Sequence, residues 1–394
     1  MFGKKEEVIK VNEKHVPLRI AGFILALAVA IVSFSYALTH MGIHEEGYYD
    51  VETAPDNEAV NYASGMVFNY HITGNNANEM RQLYKNVSAE YSTVLKRAYK
   101  LLDNENLYDG YINIAYINEH QGEKITVSDE LFYVLSNAYV LTLTNHGFNM
   151  FAGPLYKEWE SIIYSEDSLN YDPLNNENEE ERIREIAKLV NDFSNFEFSF
   201  NKADNTITYK VSDEYIKRAK ELEIDVPALD LNLMKHAYML ELIRRDLTDN
   251  GYTNGVLLSN RGLLSGYYTL MVNMEKTDIH YPVYIYNDGK ITEAQNPYVT
   301  KDSAFAAFRA FPMDENDLSA YIITDSDGKQ HLRNMFFNVK TGFHSDFYRT
   351  HCCFAPVDGI VNAAFSNLVY SSVASIEELP DLSIYDFPGN HLMY

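Results

Sequence analysis

The chain has 394 residues, with 56 acidic against 32 basic side chains for a formal net charge of −24, 46% hydrophobic residues and 2 cysteines. An exterior this acidic repels phosphate backbones and excludes non-specific nucleic-acid binding, and two cysteines exclude a disulfide-stapled fold or a four-cysteine zinc site. The apolar and aromatic content suits a packed core, and the length suits two or three domains, or one large α/β domain with additions.

Residues 1–19 hold Lys4, Lys5, Lys10, Lys14 and Arg19 against Glu6, Glu7 and Glu13. The run Ile20 to Ala37 that follows has no charged residue and, as a helix, covers about 27 Å, close to one hydrocarbon core. Basic residues before it and Glu45-Glu46 after it place the N-terminus in the cytoplasm and the rest outside. A cleaved signal peptide is the competing reading, since Ser35 and Ala37 resemble a small-residue cleavage site. The long basic stretch and long apolar run favour an uncleaved anchor. No cysteine follows the run directly, which excludes a lipid-anchored lipoprotein. The segments are then a cytoplasmic N-terminus (1–19), a transmembrane anchor (20–38) and a polar tether (39–63).

From Met66 the alternation Met66, Phe68, Tyr70, Ile72 predicts a half-buried strand. Gly74-Asn75-Asn76 turns the chain into a long amphipathic helix, with apolar positions Met80, Leu83, Val87, Tyr91, Val94, Ala98 and Leu102. Ser128 is an N-cap for a second helix to about Asn145. The acidic, Asn-rich stretch 166–182 reads as a solvated insertion leading into a helix over 180–194. Phe196, Phe198 and Phe200 alternate and turn through Asn201–Asn205 into Thr206–Val211, a hairpin. A third helix spans roughly Leu231–Thr248, followed by strands near 254–259, 266–274, 282–287, 319–325 and 333–339. Turns are supplied by Asn287-Asp288-Gly289 and Asp325-Ser326-Asp327-Gly328. Strands segregated from a few long helices indicate an α+β fold.

Few local patterns carry chemistry by themselves. His44-Glu45-Glu46 lacks the second histidine of a helical zinc site, and Asp325-x-Asp327-Gly328 lacks the distal carboxylate of a calcium loop. Cys352-Cys353 follows His351 among aromatic and apolar neighbours and reads as a buried strand position rather than a reactive pair. In Ala355 to Phe365, Asp358 and Asn362 stand one helical turn apart. They read as a cap and a surface residue, or as two oxygen donors for a hard cation such as Mg²⁺ near phosphate oxygens.

Six segments in order resemble the FAD:protein FMN transferases, the ApbE-type family, over about residues 64–375. Ser64 to Phe68 is similar to the family's opening strand. Tyr108 to Asn118 keeps its tyrosine and its asparagine. Thr144 to Leu155, TNHGFNMFAGPL, is similar to a family segment ending in Gly-Pro-Leu. Asp230 to Tyr238, DLNLMKHAY, resembles Asp-Leu-Gly-Gly-Ile-Ala-Lys-Gly-Tyr, and Asn338 to Gly342 resembles Asp-Pro-Arg-Thr-Gly. Asp358–Asn362 falls on the family's Ala-Asp-Ala-Leu-Ala-Thr motif.

The resemblance implies an ApbE-like α+β fold, with mixed or antiparallel sheets and several long helices, in one domain (64–375) carrying the acidic insertion and followed by a tail (376–394). It implies transfer of FMN from FAD, assisted by Mg²⁺, to a threonine of an exported flavoprotein. Met66, Tyr108, Gly147, Phe148, Asn149 and Tyr238 would line the FAD site. Asp358, Asn362 and the backbone carbonyl of Lys235 would hold the metal, and His236 is a candidate base. The chain departs from the pattern at Asn232 and Leu233, which replace two glycines, at Met335, which replaces a histidine, and at Asn338, which replaces an aspartate. A relative that binds flavin or a protein partner without catalysis is the alternative. The expected location is the cell membrane, with the main domain extracytoplasmic.

Overall fold

In the computed structural model of the chain the described residues are 45–53, 65–144, 146–165, 167–259, 268–275, 279–287, 290–311, 322–325, 327–345, 347–380 and 391–393. The expected cytoplasmic segment and membrane helix lie outside them. So do His44, most of the tether, the start of the 266–274 strand, Asp288-Gly289, residues 319–321, Ser326 and most of the tail. Among the described residues no helix is long and apolar enough to cross a membrane.

Two compact units partition the chain. The first takes in Met1–Gly47 and Ile72–Lys85, of which 45–47 and 72–85 are described. There Asn76 Oδ1 accepts the backbone N–H groups of Asn78 and Glu79, while Glu79 accepts from the backbone N–H of Asn75 and from both asparagine amides. This cap starts helix α1, Ala77–Leu101, at the predicted Asn75-Asn76 turn.

The second unit, Tyr48–His71 with Asn86–Tyr394, is organised by a sheet whose seven strands lie side by side in chain order. They are Gly47–Asp50 (β1), Met66–Ile72 (β2), Gly255–Ser259 (β3), Tyr268–Asn273 (β4), Ser303–Arg309 (β5), Thr350–Pro356 (β6) and His391–Met393 (β7). Pairings from β2 to β7 are antiparallel. Alternate side chains serve two layers. Val256, Met271, Phe305, Ala307 and Cys352 join Val283 and Val299 on one face. Ala304 and Ala306, with Val272, Leu270 and Cys353 in register, stand on the opposite set. Helices α5, Lys235–Asp249, and α6, Ile360–Ser372, pack together and against this sheet. Helix α6 buries residues on every side, as its nearly uncharged sequence dictates.

Between the sheet segments lie α2, Asp129–Leu143, capped by Ser128 as predicted, α3, Gly153–Ile163, and α4, Glu177–Asn191. The aromatic hairpin forms in the expected register, with Phe196 opposite Val211 and Asn201 opposite Thr206. Its base is anchored where Phe196 stacks on Phe151 at 4.3 Å.

Four local expectations are revised. The third helix opens at Lys235 rather than 231, because Asn232 adopts φ 49° and residues Asn232–Met234 form a 3₁₀ turn. Residues 333–339 are not a strand: pairing ends at Leu332, and Asn334 bends the chain by accepting the Phe336 N–H at 2.7 Å. The tail returns to the sheet as β7.

The acidic insertion is not wholly solvated. Asp172 is 1% exposed and Pro173 is buried. Asp172 grips Arg333 with bonds of 2.5 and 3.0 Å, so part of this stretch is an internal fastening. Arg333 lies 5.8 Å over the ring of Trp159, the chain's single tryptophan. Asp172→Ala strands a buried guanidinium, and the expected destabilisation is about 3–5 kcal/mol. Urea unfolding followed by Trp159 emission measures it, and Asp172→Leu combined with Arg333→Met should recover most of the loss.

Candidate functional site

The segment 146–155 threads between two others at backbone contact. Gly147 has φ 62°, and a Cβ there would stand 2.5 Å from the Val369 amide of α6. Gly153 donates its N–H to Ala228 O at 3.1 Å, and a Cβ on it would stand 2.4 Å from Pro227 O. Asp230 N–H donates to Met150 O at 2.8 Å. The Gly-Pro-Leu and Asp230 segments are thereby stitched side by side, and glycine is required at both approaches.

Beside that seam opens a cleft of about 230 Å³, lined by Glu105, Tyr156, Asp230, Asn232, Lys235 and Met335 among others. Asp230 Oδ1 accepts the Asn232 N–H at 2.8 Å, and the Asn232 amide returns a bond to Asp230 O at 3.1 Å. This small ring sets the 3₁₀ turn that delivers Lys235 to the cleft. Burial pushes the Asp230 carboxyl above the usual carboxylate range, against the Asn232 N–H and the charge of Lys235.

Tyr108 does not line the cleft: its hydroxyl donates at 2.6 Å to Asp103, next in the chain to the wall residues Asn104 and Glu105. Asp103 also accepts from Glu105 N–H at 3.0 Å and from Asn106 at 3.1 Å. Burial raises its pKa, but these bonds and Lys235 outweigh that and hold it below the ordinary value.

The other predicted residues sit elsewhere. Met66 is buried in β2 opposite Ser259, and His236 Nδ1 is 2.7 Å from the Ser259 hydroxyl, so both stand beside the end of β3. Phe148 and Tyr238 are fully buried. The Tyr238 hydroxyl donates to Asn137 at 2.7 Å. Asn149 is 2% exposed, donating to Val190 O and accepting from Phe151 N–H. These three are packed into the protein and do not line the cleft. Asn338 donates to Ser372 O at 2.8 Å, a bond an ionised aspartate would not make. Gly342 O, in the same turn, takes the Trp159 N–H at 2.7 Å.

Asp358 is exposed in the turn before α6, Gly359 caps that helix without a side-chain bond, and Asn362 is half-buried. The charge of Asp358 acts on Glu241, Arg244 and Tyr133, and Arg244 is paired to Glu241 at 2.9 Å. The Lys235 carbonyl belongs to the first turn of α5 and is committed to the helix ladder. A magnesium ion asks for oxygens in octahedral array at about 2.1 Å. One exposed carboxylate in the field of a guanidinium, one amide and one carbonyl in the helix ladder supply only a few of those oxygens. Among the described residues no three His, Cys, Asp or Glu side chains converge where they could hold a metal ion.

Asp103, Tyr156 and Ser259 were not singled out from sequence. A serine ending the apolar strand Gly255–Ser259 was the one available signal for the last. Cys352 and Cys353 are both buried, as expected, and burial pushes each thiol up to about 12.

The architecture is an ApbE-like fold. The chain is similar to the ApbE protein of Thermotoga maritima, with a TM-score of 0.54 and 13% identity over 88% of this chain and 94% of that one. It is also similar to the flavin transferase ApbE from Vibrio cholerae, with a TM-score of 0.51 and 12% identity over 89% and 94%. No family sequence model and no curated protein sequence matches the chain.

Two outcomes follow from the packing. Neither thiol should react with a disulfide reagent at pH 8 in the native state, and both should react in denaturant, as titration of released chromophore reads. Gly147→Ala places a methyl against α6 at positive φ, and unfolding curves should show a loss above about 1–3 kcal/mol.

Proposed function

We propose that the chain is a membrane-anchored, extracytoplasmic flavin-binding protein that transfers FMN from FAD to a threonine of an exported flavoprotein. The observation that carries this reading is the convergence of separate motif segments on one cleft: Gly153, Asp230 to Lys235, and Met335. The likeness of fold to a flavin transferase supports it. A volume of about 230 Å³ suits a diphosphate and one flanking group, with the rest of the dinucleotide along the open rim.

The reaction requires attack of a threonine Oγ on the FMN phosphorus. A P–O bond forms to Oγ, the P–O bond to AMP breaks, and AMP leaves as the anion. The hydroxyl proton needs an acceptor in the cleft. His236 is engaged with Ser259, Met335 carries no base, and Asp230, its pKa raised by burial, is the carboxylate in position. The protein's other task is to hold the diphosphate still while the hydroxyl approaches in line.

Met335 in the cleft favours a second reading, flavin binding without transfer, because a thioether accepts no proton. The test uses the full-length chain in detergent with FAD and a threonine-bearing acceptor. The expected outcome is quenching of flavin fluorescence on binding, an FMN adduct on the acceptor by mass spectrometry, and released AMP. Asp230→Asn should keep binding and lose the adduct. Binding with no adduct from the parent chain would establish the second reading, and absence of FAD binding would refute both.

A further inference from the structure

The cleft has its own source of positive charge. Lys235 is half-buried at its wall, with Nζ 4.7 Å above the ring of Tyr99. That contact fixes an ammonium without neutralising it. Among the described residues no carboxylate lies within ion-pair distance of it. The other lysine of the cleft, Lys157, is held by Glu160 at 2.7 Å. The two carboxylates that feel Lys235 are satisfied by other donors: Asp103 by Tyr108, Asn106 and the Glu105 amide, and Asp230 by the Asn232 amide. Among the described residues no three metal-ligating side chains converge on the cleft, while a fixed cation is present.

We propose that the Lys235 ammonium is the counter-ion for a diphosphate in this cleft, so that the chain binds FAD or ADP without a divalent metal. The proposal rests on the flavin reading above and adds to it the means by which an acidic protein holds an anionic ligand. The groups opposing it are the carboxylates of Glu105, Glu160 and Asp230 on the same walls. A neutral residue at 235 would leave a diphosphate facing only these. The purely architectural alternative is that Lys235 exists to offset Asp103 and Asp230, in which case its removal would disturb stability and leave ligand affinity alone.

The experiment titrates the full-length chain in detergent with FAD, with ADP and with riboflavin, in EDTA and again in excess Mg²⁺, by calorimetry. The expected result is the same FAD affinity in both buffers, within about twofold. Lys235→Met should weaken FAD and ADP by about tenfold or more, the loss of one charge-assisted bond, and leave riboflavin unchanged. Lys235→Arg should retain most of the affinity, and Trp159 emission verifies that the variants are folded. FAD binding that vanishes in EDTA and returns with Mg²⁺, or that is indifferent to Lys235→Met, would overturn the proposal while leaving the flavin reading intact. No FAD binding in either buffer would overturn both. The EDTA comparison needs no variant, so a misfolded substitution does not blunt the test.

Discussion

At Gly147 and Gly153 backbone passes backbone without an intervening side chain, and the second of these approaches forms part of the cleft wall. Gly147 lets the loop after α2 lie on α6, and Gly153 lets the start of α3 lie on the 227–230 segment. At both points a single added carbon would stand closer than van der Waals contact to main-chain atoms that have nowhere to go. Those contacts fix the 146–155 segment to α6 at one end and to the 227–230 segment, a cleft wall, at the other. The ring between Asp230 and Asn232 then turns the chain sharply enough to point Lys235 at the space left over.

What can be read from residues depends on whether their partners are local. The Asn76 and Ser128 caps, the aromatic hairpin and the long helices all have causes within a few positions, and each forms close to where periodicity and capping chemistry put it. Gly-Pro-Leu was legible through the family resemblance, and its proline stands in the first turn of α3, where its missing N–H costs nothing. Asp172 shows the opposite case: nothing in an Asn-rich acidic stretch marks one aspartate as the partner of an arginine 161 positions away. Asn334 breaks an expected strand by accepting the Phe336 N–H on its side chain while its carbonyl meets His344, neither of which the alternation of apolar residues encodes.

The candidate site was legible as a set of segments and not as a set of roles. Segment positions follow from the fold, and Asp230, Lys235 and Met335 do meet. Roles follow from which atoms remain open after the protein has satisfied itself. Phe148, Asn149 and Tyr238 lie on motif segments, yet their polar groups or rings are taken up internally. Asp358 is similarly claimed in part, because Glu241 and Arg244, three apart on α5, bring a guanidinium into its field. Asn232, which stands where the ApbE-type pattern has a glycine, uses its amide to brace the turn at this wall.

The pairing of Asp172 with Arg333 also bears on how such a chain can change over time. Neither residue tolerates loss alone, since a solitary buried ion is far more costly than the pair or its apolar substitute. A change at either residue is therefore costly without a matching change at the other. In any lineage sharing this ancestry the two positions should covary as strictly as contacting core residues, although one lies in what looks, letter by letter, like disposable surface.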